Sequence, residues 1–244
     1  MKIIVFARRT AKEILRDPIT LGFGIGFPVI LLLLLTAIQS NVPIDIYELD
    51  KITPGIAVFG LSFITLFSAT LISKDRSSSM LARLFTTPMT SAEFILGYTL
   101  PLLPMAIVQC IICYITAFIL GMEITPSVIA AIILIVPVAL LFIALGLLCG
   151  SVFNDKQVGG LCGALLTNLT GWFSGTWFDL ALVGGAFKKI AYLLPFAHGV
   201  DMGKAAVSGN YGDIFPHIWW VLGYTIAFTV IAIYVFSRRI KNGK

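Results

Sequence analysis

The stretch "TPGIAVFGLSFITLFSATLIS", residues Thr53 to Ser73, contains no Asp, Glu, Lys or Arg. A helix rises about 1.5 Å per residue, so this run is long enough to cross an apolar membrane core of about 30 Å. It predicts a transmembrane helix, and it decides the fold class if the rest of the chain repeats the pattern.

The pattern is repeated along the chain. The composition is 58% hydrophobic and 12% charged, about half the charged share of a soluble domain, and the mean hydropathy is +0.98. We therefore predict an all-α membrane protein with six transmembrane helices and a single domain over residues 1–244. The other five predicted spans lie near Ile19–Gln39, Phe94–Leu120, Pro126–Gly150, Gln157–Phe178 and Phe215–Phe236.

The orientation of the spans follows from the basic residues, because Lys and Arg concentrate in cytoplasmic loops. An even number of spans puts both termini on one side. With the termini inside, about 13 of the 17 Lys and Arg residues are cytoplasmic, and only Lys51, Lys188, Lys189 and Lys204 are outside. We predict cytoplasmic termini, with the excess positive charge facing lipid headgroups and not nucleic acid.

Two segments outside the spans have helical patterns. Residues 1–17 alternate apolar and basic side chains and predict an interfacial amphipathic helix that ends before Pro18. Residues 179–214 are semi-apolar, but a seventh span there would place Lys188 and Lys189 at mid-depth, at about 2.5 to 3.5 kcal/mol each. We predict two short helices on the outer side, either extracellular or re-entrant.

The loop at 74–93, "KDRSSSMLARLFTTPMTSAE", separates the second and third spans on the cytoplasmic side. Its pattern predicts a short helix that ends at Pro88, followed by a capping box at "TSAE", which starts the third span. One face of that helix is apolar, flanked by Arg76 and Arg83, and it contacts either lipid headgroups or a partner protein. That face comprises Met80, Leu81, Leu84 and Phe85.

Small and polar residues form stripes on two spans, and a stripe of this kind does not face lipid. It either packs closely against another helix or lines a path for solute. On the fifth span the stripe falls within a sector of roughly 100°; on the second span it is weaker. The fifth-span residues are Gly160, Ala164, Thr167, Asn168, Gly171 and Gly175, and the second-span residues are Ser62, Thr65 and Ser68. Trp172 and Trp177 near the outer mouth suit substrate stacking or interfacial anchoring equally well.

Other chemistry has weaker support. The predicted spans contain no ionisable carboxylate or amine, which disfavours ion-coupled transport. Ser174 with His198 or His217 suggests an intramembrane serine hydrolase, although neither histidine occupies a position that clearly faces Ser174. A non-transporting membrane scaffold is a third possibility. We predict no catalytic residue, metal site or cofactor in this chain.

Taken together, several motifs resemble the membrane subunits of ABC exporters of the ABC-2-type permease class. The loop is the most specific of them, with Asp75, Arg76, Leu81, Leu84, Pro88 and Ser91 in the family's pattern. The others are "ARRTAKEILRDP" before the first span, "ITPGIAVFGLSFI" entering the second, "GWFSGTWFD" in the fifth and "LLPFAHGVDMGKAAVSG" before the sixth.

The resemblance implies a permease domain that works with a separate ATP-binding cassette ATPase, as two permeases, expected to be a homodimer, and two ATPases. ATP and Mg²⁺ would then bind to the partner subunit. The loop helix would be the coupling helix, residues 1–17 the elbow helix, and spans two and five would meet their copies around a path. The implied function is export of an amphiphilic or bulky substrate, such as a drug, lipid, peptide or glycan, across the plasma membrane.

Overall fold

The computed structural model of the chain describes residues 2–42, 47–78 and 89–242, and every regular element in them is helical. Helix α1 spans Lys2–Leu15, and α2 spans Pro18–Gln39 with a π-helical segment at Gly22–Gly26. Three long helices follow: α3 at Leu49–Ser77, α4 at Ser91–Ile119 and α5 at Pro126–Val152.

The second half of the chain starts with α6, a continuous helical segment over 155–173 whose middle, Gly159–Leu166, is π-helical. Three short helices follow, α7 at Leu180–Val183, α8 at Gly185–Leu193 and α9 at Pro195–Val207. A 3-10 turn at Tyr211–Asp213 leads into the last helix, α10, at Ile214–Asn242.

Five helices in the described part are long and apolar enough to cross a membrane: α2, α3, α4, α5 and the segment Tyr211–Arg238 that includes most of α10. They coincide with five of the six predicted spans, and the all-α membrane fold is confirmed. The predicted fifth span corresponds to α6. This helix is shorter than the other five, and it is more polar, since it begins with Asp155 and Lys156.

The predicted end of the fifth span at Phe178 is wrong. Helix α6 ends at Phe173, and Gly175 adopts a φ of +73°, a left-handed conformation that terminates helices and favours glycine. Gly175 and Trp177 therefore lie in the turn after α6 and not on its face.

The outer segment contains three helices instead of the predicted two. Gly184 has a φ of +63° and separates α7 from α8, and Pro195 starts α9 at a position where its missing N–H is not needed. Helix α9 packs against α3, α5 and α10, with Phe196 and Val200 buried. Helix α9 is therefore part of the helix bundle, whereas a short helix that lies on the membrane surface would not pack in this way.

Helix α3 is the centre of the bundle, in contact with α2, α4, α5, α6 and α9. Its contact with α5 is close because two glycines of α5 lie against the α3 backbone. A Cβ at Gly146 would overlap the Thr65 carbonyl, and a Cβ at Gly150 would overlap the Ala69 carbonyl. Small residues four apart are a common way for membrane helices to approach each other, since the close contact maximises van der Waals attraction.

Candidate functional site

One end of the bundle carries the two ends of the predicted coupling loop. Arg76, at the end of α3, donates from Nη1 to the carbonyl of Gly150 at 2.6 Å and to that of Phe153 at 3.2 Å. Ser73 donates to Asp155 Oδ1 at 3.2 Å. These bonds satisfy carbonyls at the end of α5 and connect the end of α3 to the end of α5 and to the start of α6.

An ion pair between a partly exposed arginine and a buried carboxylate joins the same end of α3 to the N-terminal helix. Arg9 donates to both Asp75 carboxylate oxygens, from Nη1 at 2.8 Å and from Nη2 at 3.0 Å, and the Tyr98 hydroxyl donates to Oδ2 at 2.8 Å. The Asp75 side chain is only 5% exposed. Two parallel N–H···O bonds fix the geometry of such a pair. Helices α1, α3 and α4 are therefore linked at one carboxylate.

Burial and the neighbouring charges shift the pKa of Arg9 in opposite directions. Burial acts to lower the pKa of Arg9, but its hydrogen bond to Asp75 and the negative charge of that carboxylate raise the pKa above its ordinary value. Glu13 lies one turn further along α1 and forms an ion pair with Arg9 at 2.9 Å. Partial burial raises the pKa of Glu13, while the charge of Arg9 opposes this shift. Arg9 stays charged, and Asp75 retains its partner.

The far end of the loop is capped as the sequence predicts. The Thr90 hydroxyl accepts from the Glu93 backbone N–H at 3.3 Å, and a Glu93 carboxylate oxygen accepts from the Thr90 backbone N–H at 2.7 Å. The capping box is confirmed. The structure thus defines where the loop leaves α3 and where α4 begins. The coupling-helix residues between these points, Met80, Leu81, Arg83, Leu84, Phe85 and Pro88, lie outside the described residues.

The predicted fifth-span stripe is divided between an open face and an inner face. Gly160, Ala164 and Asn168 lie four residues apart on α6 and are exposed, and nothing in the described chain lies within 4 Å of a Cβ built at Gly160. Thr167 is half-buried, and its hydroxyl donates to the carbonyl of Cys162, within the same helix. Gly171 is buried, with the Trp177 indole nitrogen 3.0 Å from where its Cβ would be.

The second-span stripe lies inside the subunit. Ser62, Thr65 and Ser68 are buried, and the Thr65 hydroxyl donates to the carbonyl of Phe142 on α5 at 2.9 Å. The Ser68 hydroxyl donates to the carbonyl of Thr65 at 3.0 Å and lies 3.5 Å from the carbonyl of Ile143 on α5. Thr65 and Ser68 therefore take part in the contact between α3 and α5, away from any open face of the subunit.

The two outer tryptophans have different surroundings. Trp172 is 58% exposed, and its ring lies 6.3 Å from that of Phe178. Trp177 is half-buried and contacts Phe59 edge to face, with ring centroids 5.1 Å apart. Of the two, Trp172 offers the larger surface to a neighbouring molecule.

Ser174, His198 and His217 all lie in the described part of the chain, and no hydrogen bond there joins Ser174 to either histidine. The Ser174 hydroxyl is hydrogen-bonded to that of Thr176 at 2.6 Å. His198 uses both ring nitrogens elsewhere: Nδ1 is 2.8 Å from Nδ1 of His217, and Nε2 donates to the carbonyl of Tyr192 at 2.9 Å. The geometry therefore does not favour the serine hydrolase hypothesis.

The histidine pair connects α9 to the last helix. His198 stacks on Trp220 with ring centroids 5.0 Å apart. Burial lowers the pKa of His198, and a charge on His217 acts in the same direction, while the Tyr192 carbonyl and the charge of Asp201 oppose the shift. Spacing in the sequence does not predict this contact, because it depends on how α9 folds back against α10.

The fold and these contacts define a multi-pass α-helical membrane protein. The family model described as "ABC-2 type transporter" matches residues 1–206, and the chain belongs to this family. Membership identifies it as an ABC transporter permease, of a kind that typically works with an ATP-binding cassette subunit. No curated protein matches the chain.

Proposed function

We propose that this chain is the transmembrane subunit of an ATP-driven exporter and that two copies form a path for an amphiphilic or bulky substrate. A separate ATPase subunit would bind ATP and Mg²⁺, and this chain would have no catalytic site of its own. The proposal includes six crossings, with α6 as the fifth, and cytoplasmic termini in the plasma membrane.

The contacts at the end of α3, where the coupling loop begins, are the main observation in support of this proposal. Arg76 attaches the end of α3 to α5, and Arg9 attaches it to α1 through Asp75. A force on a loop is transmitted to the bundle when the helix at which the loop starts is bonded to its neighbours, because packed helices move as rigid bodies. A push by the ATPase on the loop would thus reach α1, α3 and α5 together.

Replacing one apolar loop residue tests the coupling role. We expect Leu84→Asp or Phe85→Asp to abolish co-purification of the ATPase subunit that accompanies the unaltered chain, since a carboxylate in an apolar groove is costly to desolvate. The matched control is Leu182→Asp, at a residue that is 82% exposed on outer helix α7. Unchanged association in both loop variants, or equal loss in the control, contradicts the proposal.

The open face of α6 supports the dimer. Gly160, Ala164 and Asn168 present small and amide side chains that gain nothing from contact with lipid tails. A second copy of the same face is the simplest cover, because symmetric pairing uses one surface twice. We expect disulfide cross-linking between copies carrying Ala164→Cys in a background without the native cysteines. Ala227→Cys, at an exposed alanine of α10, is the control. Cross-linking of the control alone contradicts the α6 interface.

The path is tested separately. Asn168→Leu removes an exposed amide and should reduce export of the substrate while leaving ATPase association intact. A chain that serves only as a scaffold would show no effect of Asn168→Leu on export.

The positions of the basic residues support cytoplasmic termini. Arg9, Arg76 and the start of α6 with Lys156 lie together at one end of the bundle.

A further inference from the structure

An apolar crevice of about 570 Å³ separates α1 from α2 and α4. Among the described residues, Arg8 is the only charged residue that lines it. The crevice exists because α1 presents Ala7 and Ala11 there, while α4 presents the rings of Pro101 and Pro104. None of these side chains is long enough to close the gap. Its volume lies within the range of about 300 to 1,000 Å³ that is typical of small-molecule sites.

A basic groove of about 820 Å³ adjoins the crevice, and Arg8 lines both. Arg8 and Lys12 lie four residues apart on α1, and Arg16 follows directly after the end of that helix. All three are exposed and line the groove as one stripe. Within the described part of the chain, none of the three forms an ion pair.

Two carboxylates also line the groove, and both are already engaged. Glu13 forms its ion pair with Arg9. Asp17 caps the start of α2, where its Oδ2 accepts from the Thr20 hydroxyl at 2.8 Å and its Oδ1 accepts from the backbone N–H of Ile19. The cations of the stripe are therefore available to an anion that comes from outside the chain.

We propose that the groove and the crevice together form a binding site for one anionic phospholipid. The phosphate would lie against Arg8 and Lys12, and one acyl chain would enter the crevice between α1 and α4. Guanidinium groups bind phosphate through paired hydrogen bonds, and the apolar walls match a hydrocarbon chain. Free phosphate leaves the crevice empty, and an apolar peptide leaves the cations without a partner. A lipid from the surrounding leaflet satisfies both, and it binds whether or not the subunit transports.

The test measures which lipids the purified full-length chain retains. The chain is placed in bilayer discs of equal phosphatidylglycerol and phosphatidylcholine, and retained lipid is counted by native mass spectrometry. We expect Arg8→Gln/Lys12→Gln to lower the preference for phosphatidylglycerol by about fivefold for each cation removed, about 25-fold in all. The matched control is Lys188→Gln/Lys189→Gln, which removes two exposed cations from α8. An equal fall in the control overturns the site, because it indicates general attraction by positive charge.

A second pair of variants tests the crevice itself. Ala11→Phe fills it from α1, and Val108→Phe fills it from α4, so the site is testable even if one variant fails to fold. We expect each folded variant to lose the retained phosphatidylglycerol, while Ala37→Phe, at an exposed alanine of α2, keeps it. Retention in both filled variants overturns the acyl-chain site and reduces the proposal to headgroup attraction.

Discussion

The ion pair between Arg9 and Asp75 predicts an unequal response to removing its two members. Arg9→Gln leaves the Asp75 carboxylate 5% exposed, with the Tyr98 hydroxyl as its remaining hydrogen-bond donor among the contacts described above. Asp75→Asn leaves Arg9 37% exposed and still paired with Glu13, and the new amide oxygen still accepts from Tyr98. The first change strands a buried charge, and the second does not.

The magnitudes follow from burial. Removing one partner of a fully buried pair costs about 3 to 5 kcal/mol, and the exposure of Arg9 reduces this to about 2 kcal/mol for Arg9→Gln. Asp75→Asn should cost about 1 kcal/mol, because the amide oxygen replaces one acceptor while the amide NH2 cannot accept the second hydrogen bond from Arg9. Glu13→Gln should cost about 0.5 kcal/mol or less, because exposed pairs contribute little. The double variant Arg9→Gln/Asp75→Asn should be more stable than Arg9→Gln alone, since it no longer buries an unpaired charge.

Thermal unfolding of the four purified variants in one detergent provides the measurement. About 2 kcal/mol corresponds to a midpoint roughly 4 to 8 °C lower for a chain of this size. The order of midpoints and the partial recovery in the double variant are the decisive results. If Arg9→Gln destabilises no more than Glu13→Gln, or if the losses in the double variant add, the cluster does not hold a buried carboxylate as described.

Two further predictions concern helix contacts. Gly150→Ala should destabilise the bundle by about 1 to 3 kcal/mol, because the new methyl group overlaps the Ala69 backbone. Gly159→Ala is the control and should be neutral or slightly stabilising, because there is open space around its Cβ. Equal thermal midpoints in the two variants would argue against the close contact. The lowered pKa of His198 means that the folded state binds its proton less readily than the unfolded state. Stability is therefore full above a pH of about 6.5 and falls as the pH drops towards the folded-state pKa. The fall should be smaller in His198→Asn, and an unchanged pH profile would assign it to other groups.

Much of the fold is predictable because the spans are uncharged runs of sufficient length. The capping box at Thr90 and Glu93 also locates the start of α4 to the residue. Both signals are local: composition along the chain and the identity of a few neighbouring residues determine them. Tertiary contacts add little to either.

Contacts between distant residues are not predictable in this way. The sequence contains "GLLCG" at Gly146–Gly150 with the same spacing as "GGLCG" at Gly159–Gly163, yet only the first lies against another helix backbone. Spacing alone does not show which glycine pair faces a neighbour. Asp75 is similar, because a charged residue at the end of an apolar run predicts a loop, while the structure buries it against α1.

Polar side chains are unfavourable next to lipid tails, and the two polar stripes differ in what surrounds them. On α3, the Thr65 hydroxyl is satisfied by a carbonyl of α5, so the subunit itself keeps it from lipid. On α6, Asn168 bonds to the carbonyl of Ala164 in its own helix and stays exposed. A polar amide next to lipid tails is unfavourable, and no described helix of this chain covers that face. We propose that a second copy of the subunit or water in a path covers this face, and cross-linking at Ala164 distinguishes the two.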